Sequence, residues 1–337
     1  MGYAPSHGCR PAQPRPRGRQ RGVVLLSVLL ILALLTALVY QLVGRQSLVV
    51  AQARQTFAGD QALQYALGAE DFARQLLRQE WMDTGAVDNL TEAWAQPLPP
   101  LEVDEGFLEI QVRDLNACFN LNAVASTQTG QSTGRVNLSR FKTLLRNLNL
   151  PEPVADVWLD WIDPDQEVGG FGAEDSEYLL GEFAHRTGDQ LASHVSELRM
   201  LRDMDAELFT LIEPYVCVLP TDQLRINVNT AHPQVVAALN PSISSAQIEG
   251  IALSERTYAD VNQITAEIPE LAAATDAIGV ASEFFEIQIR AQVDDSLVEL
   301  ASTLHRNPND GTITLLTRDF GAAFRSRFLD ELTVSEE

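Results

Sequence analysis

Residues 23–43 are 21 consecutive positions without a charge. At about 1.5 Å rise per residue, a helix of that length spans the roughly 30 Å hydrocarbon core of a bilayer. Helical patterning continues beyond it. Alanine, glutamine and leucine recur to about Arg78, and no acid occurs between Val23 and Asp60. Leu63, Ala66, Leu67, Glu70, Ala73 and Leu77 fall at three and four spacing, a stripe suited to lie on a sheet, with Glu70 as its charged exception. The pattern predicts one helix over residues 23–80 that leaves a membrane and enters a folded domain.

Residues 81–100 then read as a connection, with Gly85, Pro97, Pro99 and Pro100. Residues 107–113 alternate apolar and polar with period two, as do 285–293, 297–305 and 312–318, so each predicts a half-buried strand. Asn307-Pro308-Asn309-Asp310-Gly311 is a turn between the last two. Between the strand blocks the pattern is helical, with segments at 138–148, 153–162, 206–212 and 233–239, entered through a polar linker at 127–134. The fold class is therefore α+β: a long N-terminal helix packed on an antiparallel sheet, interrupted by a large α-helical domain. The organisation expected is residues 1–22 as a basic leader, 23–80 as the long helix, 81–123 as the first part of the α+β domain, 124–280 as the helical insertion, and 281–337 as the closing strands and tail.

Charge adds direction. Arg10, Arg15, Arg17, Arg19 and Arg21 precede the apolar run with no acid among them, so this flank is expected on the cytoplasmic side and the body beyond the membrane. The formal net charge is −22; with five positive charges in the leader, the chain after Gly22 carries −27. Such a body repels phosphate backbones and favours cations, which argues against a nucleic-acid binder. The 45% hydrophobic content, with 4 Trp and 13 Phe, can fill about two cores after the anchor. Cys118 and Cys217 are the two cysteines outside the leader. In an oxidising compartment they form a disulfide or stay as two buried thiols.

The densest chemistry lies at Asp160-Trp161-Ile162-Asp163-Pro164-Asp165-Gln166-Glu167, followed by Gly169-Gly170-Phe171-Gly172-Ala173-Glu174-Asp175. These are six carboxylates in sixteen residues around a glycine-rich loop. Calcium takes six to eight oxygens from flexible loops of this kind, although the spacing is not that of an EF-hand. A solvated acidic loop and a catalytic carboxylate pair are the other readings of the same residues. Gly130-Gln131-Ser132-Thr133-Gly134 matches the nucleophile string G-x-S-x-G but lacks the apolar strand that must precede it. Arg225-Ile226-Asn227-Val228-Asn229-Thr230-Ala231 resembles the opening of a helix-hairpin-helix unit without its hairpin glycines, and reads as a helical packing unit with Thr230 as an N-cap. The five histidines form no zinc-spaced cluster.

A secretory signal places its small-residue cut after the apolar stretch. Here Gly22 stands before it, which resembles a type IV prepilin leader cut between Gly22 and Val23 by a prepilin peptidase; an uncleaved single-span anchor is the alternative. With Arg21-Gly22 taken together with Cys118-Phe119-Asn120-Leu121-Asn122, Asp160-Trp161-Ile162-Asp163, Gly172-Ala173-Glu174-Asp175, Val216-Cys217-Val218-Leu219-Pro220 and Ile226-Asn227-Val228-Asn229-Thr230, the chain from Arg21 onward resembles the GspK family, the K-type minor pseudopilins of type II secretion.

That resemblance implies a pseudopilin fold with an inserted helical domain, bound calcium, and a tip complex with the minor pseudopilins I and J. It implies assembly rather than catalysis, and a single-pass inner-membrane protein with a periplasmic body. Asp160, Asp163, Asp165, Glu174 and Asp175 match the family's acidic loop and are the metal ligands it suggests. Major pseudopilins carry Glu at the fifth residue after the cut, where Ser27 stands here. The chain departs from the family in a longer leader and in Val23 where the new, methylated terminus is usually Phe. Two rivals are a minor pilin of a type IV pilus or DNA-uptake system, and an anchored hydrolase using Ser132 or the acidic loop.

Overall fold

The computed structural model of this protein describes residues 21–96, 98–125, 131–181 and 183–324. Helix α1 (Arg21–Thr84) runs for 64 residues, past the expected end at 80, and the chain divides into compact units at Phe57 and Ala58. In the first unit none of residues 23–57 is buried. Among the described residues one helix is long and apolar enough to cross a membrane, with a mean hydropathy of 2.9 over its best window.

In the second unit the same helix buries Ala58, Ala62, Ala66, Ala69, Ala73 and Leu77. This seam differs from the expected stripe: Leu63 and Leu67 are only half-buried, and Ala62 and Ala69 take their places. The reason is steric. Alanines let the helix axis approach a sheet closely, whereas leucines at the centre would hold it off; they flank the seam instead.

After α1 the chain forms strand β1 (Leu101–Val103) and strand β2 (Gly106–Asp114), paired antiparallel. The insertion follows. It comprises β3 (Phe119–Asn120), α2 (Gln131–Asn147), α3 (Pro153–Ile162), α4 (Asp175–Tyr178), α5 (Ala206–Ile212), β4 (Val216–Cys217), β5 (Ile226–Asn227), α6 (Pro233–Ala237), α7 (Ser245–Leu253), α8 (Val261–Glu267) and β6 (Ile278–Gly279). The chain then closes with β7 (Phe284–Val293), β8 (Ser296–Arg306) and β9 (Ile313–Asp319). The sheet order is β1-β2-β7-β8-β9, antiparallel throughout. Because Asp114 at the end of β2 pairs with Phe285 at the start of β7, the insertion leaves and rejoins the sheet at adjacent strand ends.

Two cores result. Leu108, Ile110, Val112, Phe285, Ile287, Ile289 and Leu300 meet the α1 seam and Trp94 in one. Phe119, Phe141, Trp158, Phe209, Ile226, Val235 and Leu271 lie in the other, within the insertion. The insertion starts helical earlier than expected. Residues 131–134, read as the end of a polar linker, are the first turn of α2, while 126–130 lie outside the described residues. Two parallel ladders of two residues each, β3 with β4 and β5 with β6, tie the helical segments together.

Buried polar groups pin both junctions. Glu70, fully buried on α1, accepts Ser302 Oγ of β8 at 2.7 Å and a fork from Arg318 of β9 at 2.7 and 2.9 Å. Burial alone would raise its pKa, but these bonds and the Arg318 charge outweigh it and hold the carboxyl low. That partner, far along the chain, explains a charge in an apolar stripe. Where the insertion meets the sheet, Asp114 accepts from Ser282, Thr230 and the Asn116 backbone N–H, and burial still pushes it up to about 6. Thr230 is thus a bridge to β2 rather than an N-cap; His232 caps α6 by accepting from the Gln234 N–H. Close by, buried Arg306 pairs with Asp88 and lies over the Phe285 ring.

At the β8–β9 turn the Asn307 N–H donates to the Thr312 carbonyl, and the Gly311 N–H donates back to Asn307. Gly311 has φ +67, and a Cβ there would sit 2.3 Å from the Trp81 ring. Glycine is required on both counts.

Candidate metal centre

Helix α3 begins with Pro153, whose fixed φ suits a first helical position; it carries Asp156 in its first turn and Asp160 near its end, and Asp163 is its C-cap. Asp156 is neutralised by Lys142 at 2.6 Å. Asp160 is 1% exposed and accepts the Gly169 N–H at 3.2 and 3.1 Å. The loop closes over it: the Gly172 N–H donates to Gly169, and a Cβ on Gly172 would lie 1.9 Å from Asp160 Oδ2. Only glycine allows that approach.

The loop then turns Glu174 inward. One oxygen each from Asp163, Asp165 and Glu174 lies within 4.8 Å of the others. Both Glu174 oxygens and Asp163 Oδ1 are buried without a hydrogen-bond partner. Burial, then the charges of Asp160, Asp163, Asp189 and Asp165, pushes Glu174 up to about 7. Asp163 rises to about 6 through burial and its neighbours Asp165 and Asp160, and Asp160 to about 6 mainly through burial, against its bonds from Gly169. Carboxylates so placed are costly without a counter-charge. A hard cation meets the need, since oxygens 2.3–2.6 Å from one calcium are at most about 5 Å apart.

Of the five acids singled out, the fold therefore brings three together. Asp160 stands beside them and shapes the loop. Asp175 is engaged elsewhere: its Oδ1 accepts the Thr187 backbone N–H and hydroxyl at 2.9 Å each, and Arg186 lies 3.4 Å from Oδ2. Asp189, passed over in the sequence, joins the electrostatic neighbourhood of Asp163 and Glu174. It is held by Thr187 Oγ1 at 2.7 Å, and by its own N–H and that of Gly188 donating to the Trp161 carbonyl. Its one sequence signal is a Gly-Asp turn, realised here with φ 49 at Asp189.

The remaining singled-out residues lie apart. Gly22 and Val23 fall in the first turn of α1. Ser27 is exposed and returns its hydroxyl to the Val24 carbonyl at 2.9 Å, as an uncharged helical serine does. Cys118 and Cys217 form a disulfide with Cα atoms 5.7 Å apart, bracketed by Leu115, Leu219 and Phe284. Ser132 is exposed at the start of α2 rather than on a strand-to-helix turn.

Residues 117–221 match the family model described as Type II secretion system (T2SS), protein K. The chain is 33% identical to Type II secretion system protein K of Pseudomonas aeruginosa over 320 residues, covering 90% of this chain and 94% of that protein. It is 38% identical to the protein of that name from Klebsiella pneumoniae, covering 66% of this chain and 71% of the relative. Among solved structures, the GspK-GspI-GspJ complex from the enterotoxigenic Escherichia coli type 2 secretion system contains a chain of the same fold. That match has a TM-score of 0.70 at 24% identity and covers 81% of this chain and 99% of that one. With one long apolar helix, consistent with a single-pass membrane anchor, followed by an α+β body, this chain belongs to the type II secretion system protein K family, the K-type minor pseudopilins of that system.

Proposed function

We propose that this protein is the tip subunit of a type II secretion pseudopilus, initiating or capping a fibre that drives proteins across the outer membrane. The observation that carries this reading is the change of character along α1: wholly unburied and uncharged through residues 23–43, then buried on an alanine seam from Ala58. The first part suits an inner-membrane span that later packs among other such helices; the second fixes a periplasmic body to it. Cleavage between Gly22 and Val23 by a prepilin peptidase would free the helix for assembly.

Ser27 fits a terminal position. A carboxylate inside an apolar helix bundle needs a partner charge, and a subunit with nothing above it has none to neutralise. The insertion supplies bulk that hinders further addition, and Asp163, Asp165 and Glu174 would hold calcium as a structural ion, with Asp160 shaping the loop. The role is assembly, without catalysis.

The solved relative is a complex with GspI and GspJ, and the partners we assign are the minor pseudopilins I and J of the same system. Co-expression of the full chain with both partners and the peptidase, followed by native mass spectrometry of the detergent extract, tests this. A complex with one copy of each is expected. Separate migration of this chain from a joined I–J pair would overturn the tip assignment.

A further inference from the structure

A cleft of about 800 Å³ lies between the end of α2, α6 and α7, away from the acidic loop. Its lining is partly apolar, with Pro233, Ile248 and Ala252, and its basic side chains are Arg146, His232 and Arg256. They differ in how they are satisfied. Arg146 is forked onto Glu152 at 2.9 Å through Nε and Nη2, so its charge is already matched. His232 accepts the Gln234 N–H at Nδ1, which leaves the ring neutral with its proton on Nε2; burial and the nearby Arg256 charge also keep its pKa low.

Arg256 is the exception. It donates Nη1 to the Val228 carbonyl at 2.7 Å. Burial works against its charge. In a body carrying −27 after Gly22, this half-buried guanidinium lines the cleft and forms no ion pair among the described residues, so it is a cation that an incoming anion would match.

We propose that this cleft binds a carboxylate borne on an apolar group, such as the C-terminus or an acidic side chain of a protein segment, with Arg256 as its anchor. One uncompensated cation suits a singly charged carboxylate. Glu249 on the wall and the acidic body oppose phosphate and other polyanions. The apolar wall from Ile248 and Ala252 would seat the group that carries the charge.

The test uses the full-length protein in detergent, titrated calorimetrically with N-acetyl-leucine, its amide and inorganic phosphate. Binding of the acid, with the amide and phosphate at least about tenfold weaker, is the expected pattern. Arg256→Gln weakens the acid by about tenfold or more. Because Arg256 also holds Val228, Ala252→Phe is the second variant: Ala252 is exposed, so the fold is kept while the cleft is filled and binding falls likewise. Glu249→Gln tightens it. No binding of the acid, equal binding of acid and amide, tighter binding of phosphate, or unchanged binding by Ala252→Phe would each overturn the proposal.

Discussion

Chelation of the calcium assigned to Asp163, Asp165 and Glu174 is expected to lower the unfolding temperature of this protein at about pH 7, by an amount that shrinks as the pH falls towards about 5. The site dictates the sign. Without an ion, burial and mutual repulsion raise Asp160 and Asp163 to about 6 and Glu174 to about 7, above the unfolded values near 4. The folded apo-protein therefore holds protons more tightly than the unfolded chain. That contribution to stability is fully present below the unfolded pKa values and lost as the pH rises through about 6 to 7. Bound calcium would reverse the dependence, because it needs the ionised form that protons compete for. At free calcium about 1,000-fold above its Kd, stabilisation is about 4 kcal/mol. Calorimetric scans with calcium or a chelator across this pH range read the effect directly. A chelator-insensitive transition at about pH 7 would remove calcium from the account.

Reduction of the Cys118–Cys217 disulfide has an effect of the same order. The bond closes a loop with a sequence separation of 99 residues, and its contribution through the entropy of the unfolded chain is about 4 to 5 kcal/mol for that length. The whole acidic loop lies inside that closure, so the double variant Cys118→Ala/Cys217→Ala should also bind calcium more weakly. Loss of the small core formed with Leu115, Leu219 and Phe284 adds to the cost. The denaturant midpoint of the oxidised protein against that variant measures the difference; coincident midpoints would show that the bond constrains nothing.

The sequence was most readable where one period dominates. Strands β2, β7, β8 and β9 came within a residue or two of their observed ends because alternation runs through each of them, and α3 and α5 because their apolar faces repeat at helical spacing. Along α1 the expected positions Ala66, Glu70, Ala73 and Leu77 are buried, whereas Leu63 and Leu67 give way to Ala62 and Ala69, because hydrophobic strength favours leucine while close packing on a sheet selects alanine. The ladders joining β3 to β4 and β5 to β6 are too short to carry a period.

At the candidate site, local density revealed the acidic loop but not its inner arrangement. Asp175 looks equivalent to Glu174 in the sequence, yet α4 turns it towards Thr187. Asp189 approaches only because Gly188 and Asp189 both bond the Trp161 carbonyl. Glu70 was visible as an anomaly whose partner, Arg318, lies 248 residues away. Such pairings are tertiary, and no window along the chain contains them.

A tip pseudopilin enters the fibre only after its leader has been removed. The most direct measurement is the intact mass and amino-terminal sequence of the membrane-extracted protein, made with and without prepilin peptidase. A chain beginning at Val23 is expected when the peptidase is present, and one retaining the segment through Gly22 when it is absent; an identical start under both conditions would rule out processing and with it entry into the fibre as a pseudopilin.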